Sequence, residues 1–209
     1  MSDFAAARDR LVDRLAERLD LDGRTREAMR AVPRHEFVPE RRRDEAYADR
    51  PLPIGADQTI SAPHMVAKMV DLLGLDDGAT VLEVGTGCGY HAAVTAEAVG
   101  ADGVCSVEYE RSLARRARGR LSDLGYGGVS IRVADGREGW PECAPFDACY
   151  LTCAAPDFPV PLVDQVRDGG RLLAPIGTRE QELVLARVDD GDLRRERHGA
   201  VRFVRMRGD

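Results

Sequence analysis

The sequence predicts an α/β fold, a doubly wound and mostly parallel sheet of seven strands with an N-terminal helical extension and a C-terminal antiparallel hairpin. Between residues 79 and 177, short apolar runs alternate with helical patterns, which is typical of parallel strands joined by helices. The apolar run 81–84 leads directly into glycines at alternate positions and then into a helical pattern. Such a strand, turn and helix let a ligand approach bare backbone.

The first sixty residues predict helices rather than strands. Apolar residues at helical spacing predict helices at 4–19 and 24–32. Prolines bracket an ordered loop at 32–39, a helical turn follows at 40–48, and 49–60 is expected to be irregular. A further helix is expected to start after Ser61, because serine is a favoured N-cap and proline is tolerated in the first turn.

The apolar pattern from residue 79 onward predicts the strands of the sheet and how the chain is divided. Strands are predicted at 79–84, 103–108, 129–133, 146–152 and 170–175, and helices at 89–99, 110–124 and 159–167. An apolar run at 183–188, a turn at 189–192 and a polar strand ending at 201–204 predict the hairpin. We expect one domain over 1–209, with a helical and substrate-side part (1–60), a cofactor-binding core (61–177) and the hairpin (178–209).

Composition excludes several classes of protein. The net charge is −6 and no stretch is dominated by basic residues, which argues against a primary nucleic-acid partner. No apolar run is long enough to span a membrane, and residues 1–10 lack a signal-peptide core. Five scattered cysteines form no C-x-x-C pair, so we expect no metal site and a cytoplasmic protein with reduced thiols. Cys149 and Cys153 are expected to fill the core from one face of a strand.

The glycine spacing separates two classes of ligand. A dinucleotide site needs a third glycine at the sixth position of the turn, where this chain has Tyr90. Glu83, two residues before the first glycine, would repel phosphates and would suit a ligand with an ammonium and a sulfonium. These residues point to S-adenosylmethionine, with an ordinary strand-to-helix turn as the alternative.

Ligands of open α/β sheets bind beyond the carboxyl ends of the strands, so the residues at those ends are candidates. For the cofactor they are Glu83, Gly85, Thr86, Gly87, Gly89, Glu108, Asp135 and Gly136. Glu108 is placed to accept from both hydroxyls of a ribose, or is a solvated acid at a helix start. Asp135 is placed to accept from an adenine amino group, or is a turn residue.

The chain resembles the protein-L-isoaspartate O-methyltransferase family over nearly its full length. The segments that carry the resemblance run in family order: 32–39 (VPRHEFVP), 46–47 (AY), 51–55 (PLPIG), 58–65 (QTISAPHM), 83–90 (EVGTGCGY), 135–136 (DG), 139–141 (GWP), 154–156 (AAP), 169–172 (GGRL), 175–177 (PIG) and 201–204 (VRFV). The segment from Gln58 to Pro63 is more specific to the family than the glycine motif.

The resemblance implies a Rossmann-like class I methyltransferase that moves a methyl group from S-adenosylmethionine to the free α-carboxylate of isoaspartyl residues. It also implies isoaspartyl peptides and proteins as partners, and we expect a monomer. Because that carboxylate is ionised at neutral pH, no general base is needed. We assign catalysis to neutral donors, the hydroxyls of Thr59 and Ser61 with amides at the helix start, and substrate binding to Gln58, His64, Ile176 and Gly177.

The chain departs from the family pattern at Asp57, Cys88, His91 and Cys153, and in a C-terminal tail that ends in Arg205, Arg207 and Asp209 after the shared segment. A negative charge at Asp57 would weaken binding of a carboxylate substrate. The alternatives are therefore a methyltransferase of the same fold with another acceptor and a non-catalytic S-adenosylmethionine-binding paralogue. A dinucleotide oxidoreductase is disfavoured by Tyr90 and Glu83.

Overall fold

The structure, a computed structural model, describes residues 3–208. The helices in this range are α1 (Phe4–Leu19), α2 (Gly23–Ala31), α3 (Pro63–Leu73), α4 (Tyr90–Val99), α5 (Arg111–Asp123) and α6 (Val160–Asp164). The strands are β1 (Leu52–Gly55), β2 (Gln58–Ile60), β3 (Val81–Val84), β4 (Val104–Glu108), β5 (Ser130–Val133), β6 (Phe146–Leu151), β7 (Val166–Ile176), β8 (Gln181–Asp189) and β9 (Asp192–Val201).

The main sheet has seven strands in the order β5-β4-β3-β6-β7-β8-β9. The pairs from β5 to β7 are parallel, whereas β7–β8 and β8–β9 are antiparallel. The predicted fold class is therefore confirmed. Because parallel strands end at one edge of a sheet, the residues after β3, β4, β5 and β6 come together at that edge.

Alternate residues of the central strands enter two cores. On β3, Val81 joins a core formed with α1 to α5, while Leu82 and Val84 join a second core that includes Phe158 and Leu162 near α6. The strand is buried at all four positions, which explains why it reads as a continuous apolar run interrupted only by Glu83.

The segment 49–60 was expected to be irregular, and this expectation is wrong. It contains a hairpin in which Leu52 pairs with Ile60 and Pro53 with Thr59. Its turn places Ala56 and Asp57 at φ 52° and 56°, the left-handed region that two-residue hairpin turns require. Prolines and a glycine hid the strands, because these residues usually interrupt a strand pattern.

The helix predicted at 159–167 is also corrected. Only α6, five residues long, is helical, and β7 already begins at Val166. β7 extends to Ile176, so the strand predicted at 170–175 is longer at both ends. Tertiary pairing with β6 and β8 extends the strand beyond its apolar residues.

Other expectations concern the chain as a whole. In residues 3–208, no helix is long and apolar enough to cross a membrane. No cluster of three metal-ligating side chains occurs in the same part of the chain, and its five cysteines carry no disulfide. The division into one domain with three parts stays a prediction.

Candidate active site

The glycine turn after β3 forms the floor of the site. Gly85 has φ +102°, and a Cβ added there would lie 2.3 Å from Thr152 Oγ1. Its amide donates to the Val107 carbonyl of β4 at 2.8 Å. The predicted strand, turn and helix are all present, and only glycine fits where the turn meets β6.

Glu108 lies at the end of β4, beside this floor. One carboxylate oxygen accepts from the Gly87 amide at 2.8 Å and the other from the Glu110 amide at 2.8 Å. A carboxylate has about four lone-pair sites, so both oxygens keep capacity for a ligand's hydroxyl groups. The two amides hold the carboxylate against the turn, where the ribose role stays a prediction.

Glu83 lies beneath the floor rather than on its surface. Its side chain is fully buried and accepts from Ser106 Oγ at 2.5 Å and from the Tyr150 hydroxyl at 3.0 Å. Burial raises the pKa of Glu83 to about 7. Ser106 is also 2.5 Å from the Thr86 hydroxyl, so Glu83 reaches the floor through two hydroxyl groups rather than directly.

Asp135 and Gly136, the two cofactor candidates that follow β5, have different surroundings in the structure. The Arg137 side chain holds Asp135 in hydrogen bonds of 2.6 Å to 3.1 Å, and this contact lowers the pKa of Asp135. Asp135 also caps its own turn through the Arg137 amide at 2.9 Å, in line with the alternative reading as a turn residue. Gly136 reaches the floor, since a Cβ there would meet Val84 Cγ1 at 2.4 Å.

The segment 58–64 forms the wall of the site, and a buried arginine holds it. Arg34 donates to the carbonyls of Ser61 at 2.8 Å, Ala46 at 2.8 Å and Arg50 at 3.2 Å. Its guanidinium also lies 5.1 Å from the ring centre of Tyr90, the first residue of α4. Arg34 therefore ties the wall to the helix that follows the glycine turn.

Ser61 does not cap α3, which corrects the predicted N-cap. The cap position is Ala62, and no side chain of the cap residue bonds the helix. Instead, Asp49 accepts from the His64 amide at 2.9 Å and from its ring at 2.8 Å. Burial alone would raise the pKa of Asp49, but bonds from His64 and Arg18 outweigh it and lower that pKa. The Ser61 hydroxyl thus makes no cap bond.

Two adjoining cavities open between floor and wall. The inner cavity contains the glycine turn and Glu108, and the space between its residues, including its open mouth, is about 830 Å³. The outer cavity lies over the start of α3 and the end of β9. The residues that line both are Thr59, Ser61, Thr152 and Val204.

The C-terminal segment 202–208 lies along the site and contributes residues to both cavities. Ala154 donates to the Val204 carbonyl and accepts from the Met206 amide, both at 2.8 Å. Further along, the Arg207 guanidinium donates to the Ala56 carbonyl in the β1–β2 turn at 3.0 Å. Sequence reasoning used 201–204 only as part of the resemblance to the family and did not place this segment in the site.

Several predicted site residues meet in the inner cavity: Gln58, Thr59, Ser61, Gly85, Thr86, Gly87, Glu108 and Gly136. His64 lines the outer cavity instead. Neither lining includes Glu83, Gly89, Asp135, Ile176 or Gly177. Ile176 and Gly177 contact Ala155, whose carbonyl accepts from the Gly177 amide at 2.9 Å. The roles of all these residues stay predictions.

The inner cavity also contains residues that sequence reasoning noted only as departures. Cys88, His91 and Cys153 line it; Cys153 also packs, partly buried, against the second core that contains Cys149, so the expected core-filling role holds for Cys149 and in part for Cys153. Cys149 is fully buried within β6, whereas Cys153 lies two residues beyond the strand's end. Asp57 is exposed in the β1–β2 turn and lines neither cavity.

Comparison with known proteins identifies the family. A family model described as protein-L-isoaspartate(D-aspartate) O-methyltransferase matches residues 6–209. The chain belongs to this family. Protein-L-isoaspartate O-methyltransferase 2 of Archaeoglobus fulgidus is 53% identical over 99% of this chain and 95% of its own length. The enzyme of the same name from Methanopyrus kandleri is 51% identical over 99% of this chain and 93% of its own length.

Solved structures agree with the fold and the family. A structure named protein-L-isoaspartate O-methyltransferase is 31% identical, with a TM-score of 0.88, and covers 96% of this chain and 66% of that chain. A Plasmodium falciparum chain in complex with S-adenosyl-L-homocysteine is 23% identical, with a TM-score of 0.81 over 96% of this chain and 98% of its own. The predicted family, enzyme class and S-adenosylmethionine dependence are confirmed.

Proposed function

We propose that this enzyme methylates the free α-carboxylate of L-isoaspartyl residues in damaged peptides and proteins, and that Thr59 and Ser61 orient that carboxylate. The observation that carries the proposal is their position in the lining of both cavities. A donor in the inner cavity and an acceptor in the outer cavity would meet at these two hydroxyl groups. The methyl ester then closes to a succinimide, whose hydrolysis returns part of the product as normal aspartate.

The inner cavity suits S-adenosylmethionine. The glycine at position 85 leaves backbone exposed where any side chain would collide with Thr152. Glu108 keeps acceptor capacity for two hydroxyl groups of a ribose. S-adenosylmethionine supplies, when bound, a sulfonium methyl group that a carboxylate oxygen takes while the electron pair of the broken C–S bond stays on sulfur.

The protein's own residues then have one main task, which is orientation. A carboxylate with a pKa near 3.3–4 needs no base at neutral pH. Held in line at near-attack distance, it gains about 7–11 kcal/mol from orientation alone. Neutral hydroxyls at Thr59 and Ser61 bind the carboxylate without forming the tight ion pair that would weaken it as a nucleophile. Gln58 and His64 bind the peptide around it.

We also propose that the enzyme acts as a monomer in the cytoplasm, without a nucleic-acid or membrane partner. The support is the net charge of −6 without a basic stretch and five cysteines with no disulfide among the described residues. Size-exclusion chromatography with light scattering tests the monomer.

The test of the activity uses paired peptides that differ only in an aspartyl or isoaspartyl residue. The enzyme is incubated with each peptide and methyl-labelled S-adenosylmethionine. We expect base-labile label on the isoaspartyl peptide alone, because only its α-carboxylate is free in the required position. Label on neither peptide, with tight binding of S-adenosyl-L-homocysteine, would replace the proposal with a different acceptor or a binding protein.

A further inference from the structure

The outer cavity is electropositive, in contrast to the chain that carries it. Its lining contains Arg202 and His64 but, within residues 3–208, neither an aspartate nor a glutamate. The chain as a whole has a net charge of −6. The Asp49 carboxylate lies 2.8 Å from the His64 ring, so Arg202 supplies the charge that a ligand in this cavity would meet.

Arg202 is available for a partner from outside the chain. It is exposed, and no carboxylate of residues 3–208 lies within ion-pair distance of its guanidinium. Its neighbour Phe203 is held in place, because the Gln181 side chain accepts from the Phe203 amide at 2.6 Å and donates to its carbonyl at 3.1 Å. The backbone that carries Arg202 is therefore fixed at the rim of the cavity.

The Arg202 guanidinium lies near the proposed position of the isoaspartyl carboxylate but not at it. Thr59, Ser61 and Val204 line both cavities, whereas Arg202 lines the outer cavity alone. An anion that binds Arg202 is therefore displaced from the junction where the methyl group is transferred. A flanking side chain of a peptide meets this requirement, since its isoaspartyl residue occupies the junction.

We propose that Arg202 selects isoaspartyl peptides that carry an acidic residue next to the isoaspartyl residue. This inference rests on the proposed function for the position of the peptide. An exposed arginine pairs with a carboxylate at modest strength that falls with ionic strength. The pairing tightens peptide binding and leaves the reacting atoms unchanged, so it acts on KM and not on kcat.

The test uses isoaspartyl peptides identical except for Glu, Gln or Lys beside the isoaspartyl residue. With the wild type we expect the KM of the Glu peptide to be about 2- to 5-fold below that of the Gln peptide, with the Lys peptide higher still. Arg202→Gln should abolish this order, and Arg202→Lys should keep it. Arg179→Gln is the matched control, because it removes the same charge from an exposed residue outside both cavities.

A binding measurement separates this inference from the proposed function. Fluorescence anisotropy of labelled peptides, with S-adenosyl-L-homocysteine present, ranks the three peptides without any methyl transfer. A ranking that Arg202→Gln abolishes supports the inference even if no peptide is methylated, a result that would overturn the proposed function alone. Equal affinities in the wild type, or a ranking that survives in Arg202→Gln and at 0.5 M salt, would overturn the inference.

Discussion

The floor and the wall of the inner cavity each rest on a buried ionisable side chain, and the two side chains differ in their hydrogen-bond partners and in the charge they keep at neutral pH. In the wall, Arg34 donates to three backbone carbonyls, which satisfy the charged form. In the floor, Glu83 receives hydrogen bonds from two hydroxyls, and burial still raises its pKa to about 7. Burial disfavours the charged form of both groups, since it lowers the pKa of Arg34 and raises the pKa of Glu83. The arginine still stays charged at neutral pH because its ordinary pKa is above 12, whereas the Glu83 carboxyl group keeps a proton over part of that range.

The largest expected effect on stability comes from removing Arg34, which holds the wall through hydrogen bonds to three carbonyls. Arg34→Met leaves three carbonyls without their donor, at roughly 1–3 kcal/mol each. We expect the free energy of unfolding, measured in urea, to fall by about 3–5 kcal/mol, with partial recovery in Arg34→Lys, which lacks the planar fork. Arg41→Met, at an exposed arginine, is the control, and an equal loss in both variants would contradict the role of Arg34.

The next effect comes from removing the carboxyl group of the floor. The folded pKa of Glu83, about 7, lies above its ordinary value of 4.5. The folded state thus keeps a proton that the unfolded state loses as the pH rises from 4.5 to 7. Stability falls across this window, and the full cost of about 3 kcal/mol is reached above pH 7.

Glu83→Gln should flatten this dependence, since the amide does not titrate. We expect its free energy of unfolding, relative to wild type, to increase between pH 4.5 and 8 in urea titrations at fixed salt. Glu180→Gln, at an exposed carboxylate, should follow the wild-type profile. A Glu83→Gln profile parallel to wild type would mean that the buried carboxyl group titrates normally.

A smaller effect is expected where the wall meets the substrate. Ser61→Ala removes one neutral donor from the acceptor carboxylate, which we expect to lower kcat about 10-fold, or about 1.4 kcal/mol. The affinity for S-adenosyl-L-homocysteine, measured by calorimetry, should change less than about 2-fold. Ser130→Ala, on the edge strand β5, controls for the loss of a hydroxyl. Unchanged turnover in Ser61→Ala would remove Ser61 from the mechanism.

The smallest expected effect on stability concerns His91, a third buried ionisable side chain, which differs from Arg34 and Glu83 in having no hydrogen-bond partner among the described residues. The ring centre of His91 lies 4.4 Å from that of Tyr150 with the planes tilted by 32°, and both ring nitrogens of His91 lack a partner in this part of the chain. Burial lowers the pKa of His91 to about 3, so the ring is neutral at pH 7. His91→Leu should raise the free energy of unfolding by about 1 kcal/mol at pH 8.

This gain in the free energy of unfolding should grow as the pH falls below 6.5. In that range the His91 ring binds a proton in the unfolded wild type but stays neutral in the folded protein. His64→Leu is the matched contrast, because it removes a histidine that is hydrogen-bonded to Asp49 and should destabilise. A loss of stability in His91→Leu would show that its nitrogens have partners after all.

Sequence reasoning predicted the central strands and helices more accurately than the N-terminal hairpin and the helix before β7. The strands and helices between residues 79 and 133 agree with the structure to within about two residues, because strong apolar periodicity marks them. The hairpin at 52–60 was missed, and the helix predicted at 159–167 is only the five-residue α6. Prolines, a glycine and a short apolar run carry no clear periodicity, and tertiary pairing decides such segments.

The sequence by itself determined the family, the order of the elements and which residue types stand at the strand ends. These follow from local spacing, because few folds place a glycine-rich turn directly after a buried apolar strand. Only the tertiary structure decided that Asp49 rather than Ser61 caps α3, that Glu83 lies under the floor, and that the segment 202–208 lines two cavities. Each of these depends on contacts between residues distant in the chain, whose partners no local pattern encodes.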